Sequence, residues 1–293
     1  MLSCKSPPIQ YIELYIIFPY NVNMEIITTS SLGLFIGLLM GLTGAGGGIV
    51  SVPALIYFLH LSIAEAGPIA LMAIASSAGI GALLAHREKT LRYKAAPLIG
   101  LAGLTTAPFG LWLAHQVPNR PLAALFGLIL IGVSMHFFLK EIFDKDGPKS
   151  KPNDNAICQL NNTTGKLFWT KPCFLTLLSV GAVSGFLSGL LGVGGGFVIV
   201  PALRRYTNLS TNSIISSSLG VMAIIAIGSA GISAFAGTLN LPIAILFSAG
   251  AIIGLLISRQ FSQKLNPLRI QQIFASFTFL VGIYMLYKSF LDI

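Results

Sequence analysis

Long apolar runs alternate along the chain with short breaks rich in charge, Gly, Pro or Asn. Runs of about 20 apolar residues recur, the length that carries an α-helix across a hydrocarbon core. Three fall in the first half, at about 64–86, 95–115 and 121–140, and three in the second, at about 212–234, 241–259 and 267–290. A longer apolar stretch precedes each trio, at about 26–60 and 173–203, and clustered glycines interrupt both. The pattern predicts an all-α polytopic protein whose solvent is a membrane.

The two long stretches are copies of each other. Gly33-Leu-Phe-Ile-Gly37-Leu-Leu-Met-Gly41-Leu-Thr-Gly44-Ala-Gly46-Gly47-Gly48-Ile-Val50-Ser-Val52-Pro53-Ala54-Leu55 returns 148 residues later as Gly181 to Leu203, with 14 of 23 positions identical. The register continues weakly through Leu61-Ser62 with Leu209-Ser210 and Thr90-Leu91 with Thr238-Leu239. A fixed-period return of this kind is the signature of duplication. It divides the chain into an N-terminal tail (1–23), a first transmembrane repeat (24–140), a polar linker (141–172) and a second repeat (173–293). The tail's apolar stretch Ile9–Tyr20 contains Glu13 and Pro19 and has no small-residue cleavage site after it, so Met24 is a candidate natural start.

Composition agrees with the pattern: 54% of the 293 residues are hydrophobic and 9% charged, against roughly a quarter charged in soluble domains. The net charge of +9 lies in loops between apolar spans, without a basic helix or interleaved aromatics, so it reads as topogenic rather than as a nucleic-acid surface. Loop charges also choose a topology. If each glycine-broken stretch crosses once, each half has four crossings, the repeats run parallel, and Lys and Arg divide 12 to 6 between the two sides. If the chain turns back at the glycines, each half has five segments, the repeats are inverted, and the division is 15 to 3. The positive-inside tendency favours the second arrangement, with the linker cytoplasmic and both termini outside, in a multi-pass protein of the cell membrane. Residues 48–60 and 196–205 are then half-helices or re-entrant segments, meeting near the bilayer midplane.

Glycines at helical spacing, Gly33, Gly37, Gly41 and Gly44 and their counterparts Gly181, Gly185, Gly189 and Gly192, read first as close helix packing in lipid. The clusters Gly44, Gly46, Gly47, Gly48 and Gly192, Gly194, Gly195, Gly196 are different, because adjacent glycines free the backbone to turn. Non-helical backbone at membrane depth needs protein or a polar cavity to receive its amides and carbonyls. A helix starting after such a break aims N–H groups and a positive dipole end at one place, and broken helices in corresponding positions of two halves point to a transporter's central site. Candidate solute contacts are therefore these eight glycines, Pro53 and Pro201, Thr43, and the hydroxyls Ser76, Ser77, Ser216, Ser217 and Ser218 on the spans after the breaks.

The motif G-x-x-x-G-x-x-G-x-G-G-G-x-x-x-x-P, present as Gly37 to Pro53 and again as Gly185 to Pro201, resembles that of the sulfite exporter TauE/SafE family of membrane permeases. The resemblance covers about 30–140 and 173–290. It implies movement of a small sulfur-containing anion or organic acid, such as sulfite or an organosulfonate. The second span opens Ala70-Leu71-Met72, where many relatives carry a Thr-Ser pair.

Other chemistries find little footing. No G-x-x-x-x-G-K-[ST] is present, since Ile49 follows Gly48, so a phosphate-binding loop for ATP is not expected. No Ser/His/Asp cluster, carboxylate pair or metal-ligand spacing points to an enzyme, and no cofactor is implied. Glu65, beside His60, sits at the start of a span, and His136 within one reads as structural; neither forms a relay. Arg204 and Arg205 follow the second half-helix as topogenic charges that also attract anions. Cys4, Cys158 and Cys173 have no CxxC spacing and predict no disulfide framework. The expected partners are a small anionic solute and lipid, with a homo-oligomer compatible.

Overall fold

The computed structural model describes residues 19–44, 46–88, 95–143, 157–159, 170–262 and 267–291. Among them the chain forms five helices before the linker: α1 (Pro19–Thr43), α2 (Gly46–Leu59), α3 (Ile63–Arg87), α4 (Ala95–Gln116) and α5 (Asn119–Phe143). Five follow it: α6 (Lys171–Leu191), α7 (Gly196–Tyr206), α8 (Thr211–Phe235), α9 (Leu241–Ser262) and α10 (Pro267–Leu291). Helix α1 begins ahead of Met24; the rest of the predicted tail and most of the linker lie outside the described residues.

Polar residues at the breaks fix where helices start. The Ser62 hydroxyl accepts from the Glu65 backbone N–H, and the Glu65 carboxylate accepts from the Ser62 N–H at 2.9 Å, a capping box at the head of α3. Glu65 is thus engaged at its own helix start. Thr170 caps α6, with a proline in the first turn, and Ser210 caps α8.

Six helices, α1, α3, α4, α6, α8 and α9, contain stretches long and apolar enough to cross a membrane. Their outward faces are apolar too: Phe109 and Trp112 on α4 are 68% and 64% exposed. Such faces suit lipid tails. The chain is a multi-pass membrane protein.

Small residues hold the interior together. A Cβ on Gly33 or Gly37 of α1 would strike the backbone at Phe247 and Ala251 of α9, and one on Gly181 or Gly185 of α6 would strike the backbone at Ile99 and Gly103 of α4. Here backbones touch, and dispersion along bare helix surfaces replaces the hydrophobic effect that lipid cannot supply. These partners are related by the 148-residue offset of the motifs: Gly33 with Phe247 corresponds to Gly181 with Ile99. Helix α1 packs chiefly on α9 as α6 does on α4, while α3 pairs with α8 and α5 with α10.

Three contacts join the ends of elements that lie far apart in the chain. Arg259 at the end of α9 pairs with Glu88 just past α3 (2.8 Å) and donates to the Gly81 carbonyl (3.0 Å). The Ser289 hydroxyl donates to the Arg120 carbonyl (2.9 Å). The Cys158 N–H, in the linker, donates to the Tyr206 carbonyl at the end of α7 (2.9 Å). Four crossings per half would put the members of each pair on opposite sides of a membrane. Five segments per half would put them at the same end.

The cysteines depart from expectation. Cys158 and Cys173 form a disulfide, 15 residues apart. Sequence spacing is silent here because the bond depends on the linker returning to lie against Thr207, where it forms an isolated parallel bridge.

Candidate functional site at the paired glycine breaks

Each half breaks its first long helix in the same way. Helix α1 ends at Thr43 and the chain passes through Gly44 at φ +75° before α2; α6 ends at Leu191 and is capped by Gly192 at φ +72°. The Gly44 N–H donates to the Met40 carbonyl and the Gly192 N–H to the Ser188 carbonyl, each at 2.8 Å. A left-handed residue after the last turn satisfies carbonyls that a helix end leaves open. Gly194 and Gly195 repeat the left-handed geometry before α7 starts at Gly196.

Each break is clasped by the other half. A Cβ on Gly44 would lie 2.7 Å from Ile215 Cγ2 of α8, and the Ser218 hydroxyl donates to the Gly44 carbonyl at 3.1 Å. A Cβ on Gly192 would collide with the backbone of Gly67 on α3, the counterpart of Ile215. The breaks also reach each other. A Cβ on Gly48, in the first turn of α2, would strike the Val193 carbonyl and approach Ile74 to 3.3 Å. One on Gly194 would come within 3.0 Å of Ile74 and 3.5 Å of Met222. Ile74 and Met222 lie near the middles of the 25-residue helices α3 and α8. The half-helices therefore begin about halfway through the bundle, in contact, as the paired motifs predict. Gly46 and Gly47 open α2 beside this contact, and a Cβ on Gly47 would press on Met40 as one on Gly195 would press on Ser184.

Pro53 lies buried inside α2 and Pro201 half-buried inside α7. Without an N–H, each leaves the carbonyl one turn earlier, at Ile49 and Phe197, with no helical donor from that position.

A hydroxyl has one proton to donate, and most of the predicted hydroxyls use theirs on the backbone. Thr43 donates to the Leu39 carbonyl (2.7 Å), Ser76 to Met72 (3.0 Å) and Ser77 to Ala73 (2.5 Å). The Ser218 hydroxyl lies 2.8 Å from the Ile215 carbonyl of its own helix and 3.1 Å from the Gly44 carbonyl, so one proton is shared between the two. Ser216 and Ser217 are buried and engaged. Ser77 Oγ also lies 3.4 Å from the Met40 sulfur, so it does reach the first break. Ser76 is held on its own helix.

Two serines were not singled out from sequence. The Ser184 hydroxyl donates to the Gly195 carbonyl (3.0 Å). Ser188, one turn before Gly192, is fully buried and its hydroxyl has no hydrogen-bond partner among the described residues. The signal was present in the repeat: they stand where the first copy has Ile36 and Met40. Arg204 is half-buried and Arg205 exposed at the end of α7. A shallow recess of about 490 Å³ beside Leu175 and Ser179 is lined by α6 alone and lies apart from this centre. Among the described residues no three His, Cys, Asp or Glu side chains cluster to hold a metal. The side chain of His136 lies outside the described set.

Comparison with known proteins agrees with this architecture. The family model described as Sulfite exporter TauE/SafE matches residues 30–285. A probable membrane transporter protein of Xylella fastidiosa is 28% identical, over 92% of this chain and 97% of its own length. Probable membrane transporter protein YjnA of Bacillus subtilis is 25% identical over 86% and 96%, and a counterpart in Methanocaldococcus jannaschii 25% over 87% and 92%. No solved structure gives a significant match. A chain with this duplicated glycine break, matched by the family model over most of its length, belongs to the sulfite exporter TauE/SafE family of membrane transporters.

Proposed function

We propose that the chain is a secondary permease for a small anion, foremost a sulfur oxyanion or organosulfonate such as sulfite, bound where the two glycine breaks meet. The observation that carries this reading is the contact of the two breaks halfway along the bundle, Gly48 against Val193 and both breaks against Ile74. Two half-helix N-termini directed there favour negative charge without a buried lysine or arginine. Ser188, with its proton uncommitted, is a fitting side-chain donor to an oxyanion. Anion movement down its own gradient, or driven by the membrane potential, needs no intramembrane acid.

We read the halves as inverted repeats. Odd segment number and the end-to-end contacts of Glu88 with Arg259 and of Arg120 with Ser289 support this. Single cysteines introduced at Arg120 and at Arg205, in a cysteine-free chain, should label from opposite faces. Labelling from one face overturns the inversion.

Transport is tested by counterflow of labelled sulfite into proteoliposomes, with sulfate, sulfoacetate and acetate as competitors. Saturable, trans-stimulated exchange is expected, and the competitors rank the solutes. A current that does not saturate would replace the permease with a channel of the same architecture. Absence of exchange for every anion, by folded protein, overturns the anion reading.

A further inference from the structure

The disulfide lies where it ties together both arms of the second broken helix. Cys173 is in the first turn of α6, its N–H directed at the Thr170 hydroxyl (3.4 Å). Cys158 is anchored to the end of α7 by its N–H bond to the Tyr206 carbonyl and by its bridge with Thr207. Thr207 in turn returns its N–H (3.0 Å) and its hydroxyl (2.5 Å) to the Leu203 carbonyl. Both sulfurs are fully buried, while Ile157 and Gln159 on either side of Cys158 are exposed. The covalent bond thus links the start of α6 to the linker, and the linker holds the far end of α7 by the Cys158 N–H hydrogen bond. The first half has no equivalent, since Glu25 occupies the position corresponding to Cys173.

Helix α7 has 11 residues and so spans about 16 Å. One end accepts the Cys158 N–H at the Tyr206 carbonyl and the other reaches the contact between the glycine breaks. We propose that Cys158 and Cys173 are a thiol–disulfide latch that immobilises the outer end of α7, and that reduction releases this half-helix. The opening reaction is exchange with an external dithiol. A thiolate attacks one sulfur, the Cys–Cys bond breaks, and the departing cysteine leaves as a thiolate that takes up a proton. The second thiol of the reductant, deprotonated, resolves the mixed disulfide; both cysteines end as thiols and the dithiol ends oxidised. Closure is the reverse, with a disulfide as oxidant. Because the sulfurs are buried, exchange requires residues 157–159 to lift from Thr207, a movement of three residues whose outer two already face outward.

The test uses the full chain with Cys4→Ala, so that only the pair reports. Tagging the denatured protein with a maleimide of high mass should add no tag before treatment with dithiothreitol and two after it. Two tags without reductant overturn the latch. Amide hydrogen exchange on the folded protein is the second measurement. Reduction should accelerate exchange at Leu203–Thr207 about tenfold or more, through local opening, while the middle of α6 stays protected. Cys158→Ser should show the fast exchange without reductant. Unchanged exchange in both overturns the release of α7 even if the bond exists. Neither measurement uses flux, so failure of the anion reading leaves this result separately decided.

Discussion

The first left-handed glycine of each break is held differently: Gly44 meets side chains and Gly192 meets backbone. Gly44 faces the branched end of Ile215 and has its carbonyl taken by Ser218, whereas Gly192 lies against the backbone of Gly67 and is followed by two more left-handed glycines. The arms after them differ as well. Helix α2 has 14 residues and ends in exposed aromatics, Tyr57 stacking edge-on against Tyr284 at 5.3 Å. Helix α7 has 11, ends in Arg204-Arg205-Tyr206, and is hydrogen-bonded to the linker through the Cys158 N–H. The motif recurs with a left-handed glycine at the same place after the first helix, while the contacts that restrain it differ.

The largest expected effect follows from that difference. Alanine at either break must adopt a left-handed conformation, which costs on the order of 1–3 kcal/mol. At Gly44 the new methyl meets a side chain that can change rotamer; at Gly192 it meets backbone that cannot. Gly192→Ala should abolish folded protein or lower the melting temperature far more than Gly44→Ala, as measured by thermal unfolding in detergent. Equal losses would mean that the two breaks are restrained alike.

A second test turns on the hydroxyls. Where the first copy has Met40, the second has Ser188, buried without a hydrogen-bond partner among the described residues. Leaving such a group unsatisfied costs about 1–3 kcal/mol, so Ser188→Ala should raise stability by up to about that amount. If Ser188 donates to the solute, the same change should raise the half-saturating anion concentration several-fold. Stabilisation with unchanged transport would remove Ser188 from the site.

Ser218→Ala ranks third. It removes the bond that crosses from α8 to the Gly44 carbonyl, and hydrogen bonds between membrane helices average about 0.6 kcal/mol. A loss of roughly that size is expected, with Gly44→Ala adding less to it than to wild type, because both act on one restraint. Full additivity would show that Ser218 does not hold the break.

Much of this was readable before any coordinates. The apolar runs located the ten helices to within a few residues at most ends, because length and hydropathy are what hydrocarbon selects. The glycine clusters located both breaks, because three left-handed residues in the second loop admit little else. What stayed hidden depended on contacts between distant segments. Ser76 and Ser77 share a sequence context, yet only Ser77 is turned towards Met40. The Cys158–Cys173 bond needs the linker to return against Thr207, and no local pattern encodes that return. Ser188 was visible only as a mismatch within the repeat, and its unused proton emerged from packing.

The smallest effects come from glycines that the comparison of halves marks as idle. Gly79, Gly132 and Gly231 have nothing within 4 Å of where a Cβ would be. At the corresponding places, offset by 148 residues, stand Ile227, Leu280 and Leu83, which are 59%, 64% and 58% exposed. A position that is glycine in one half and a large outward residue in the other faces lipid in both, so its side chain is unconstrained. The motif glycines that meet backbone or a neighbouring helix show no such freedom: Gly33 and Gly181, Gly37 and Gly185, and Gly41 and Gly189 are glycine in both copies. Gly231→Ala should therefore be neutral or stabilise α8 by up to about 1 kcal/mol, the helix-propensity difference between the two residues. Gly185→Ala, whose methyl would enter the backbone of Gly103, should lose folded protein. Thermal unfolding of the two variants side by side measures this, and a comparable loss at Gly231 would mean that this face of α8 is covered by protein rather than lipid.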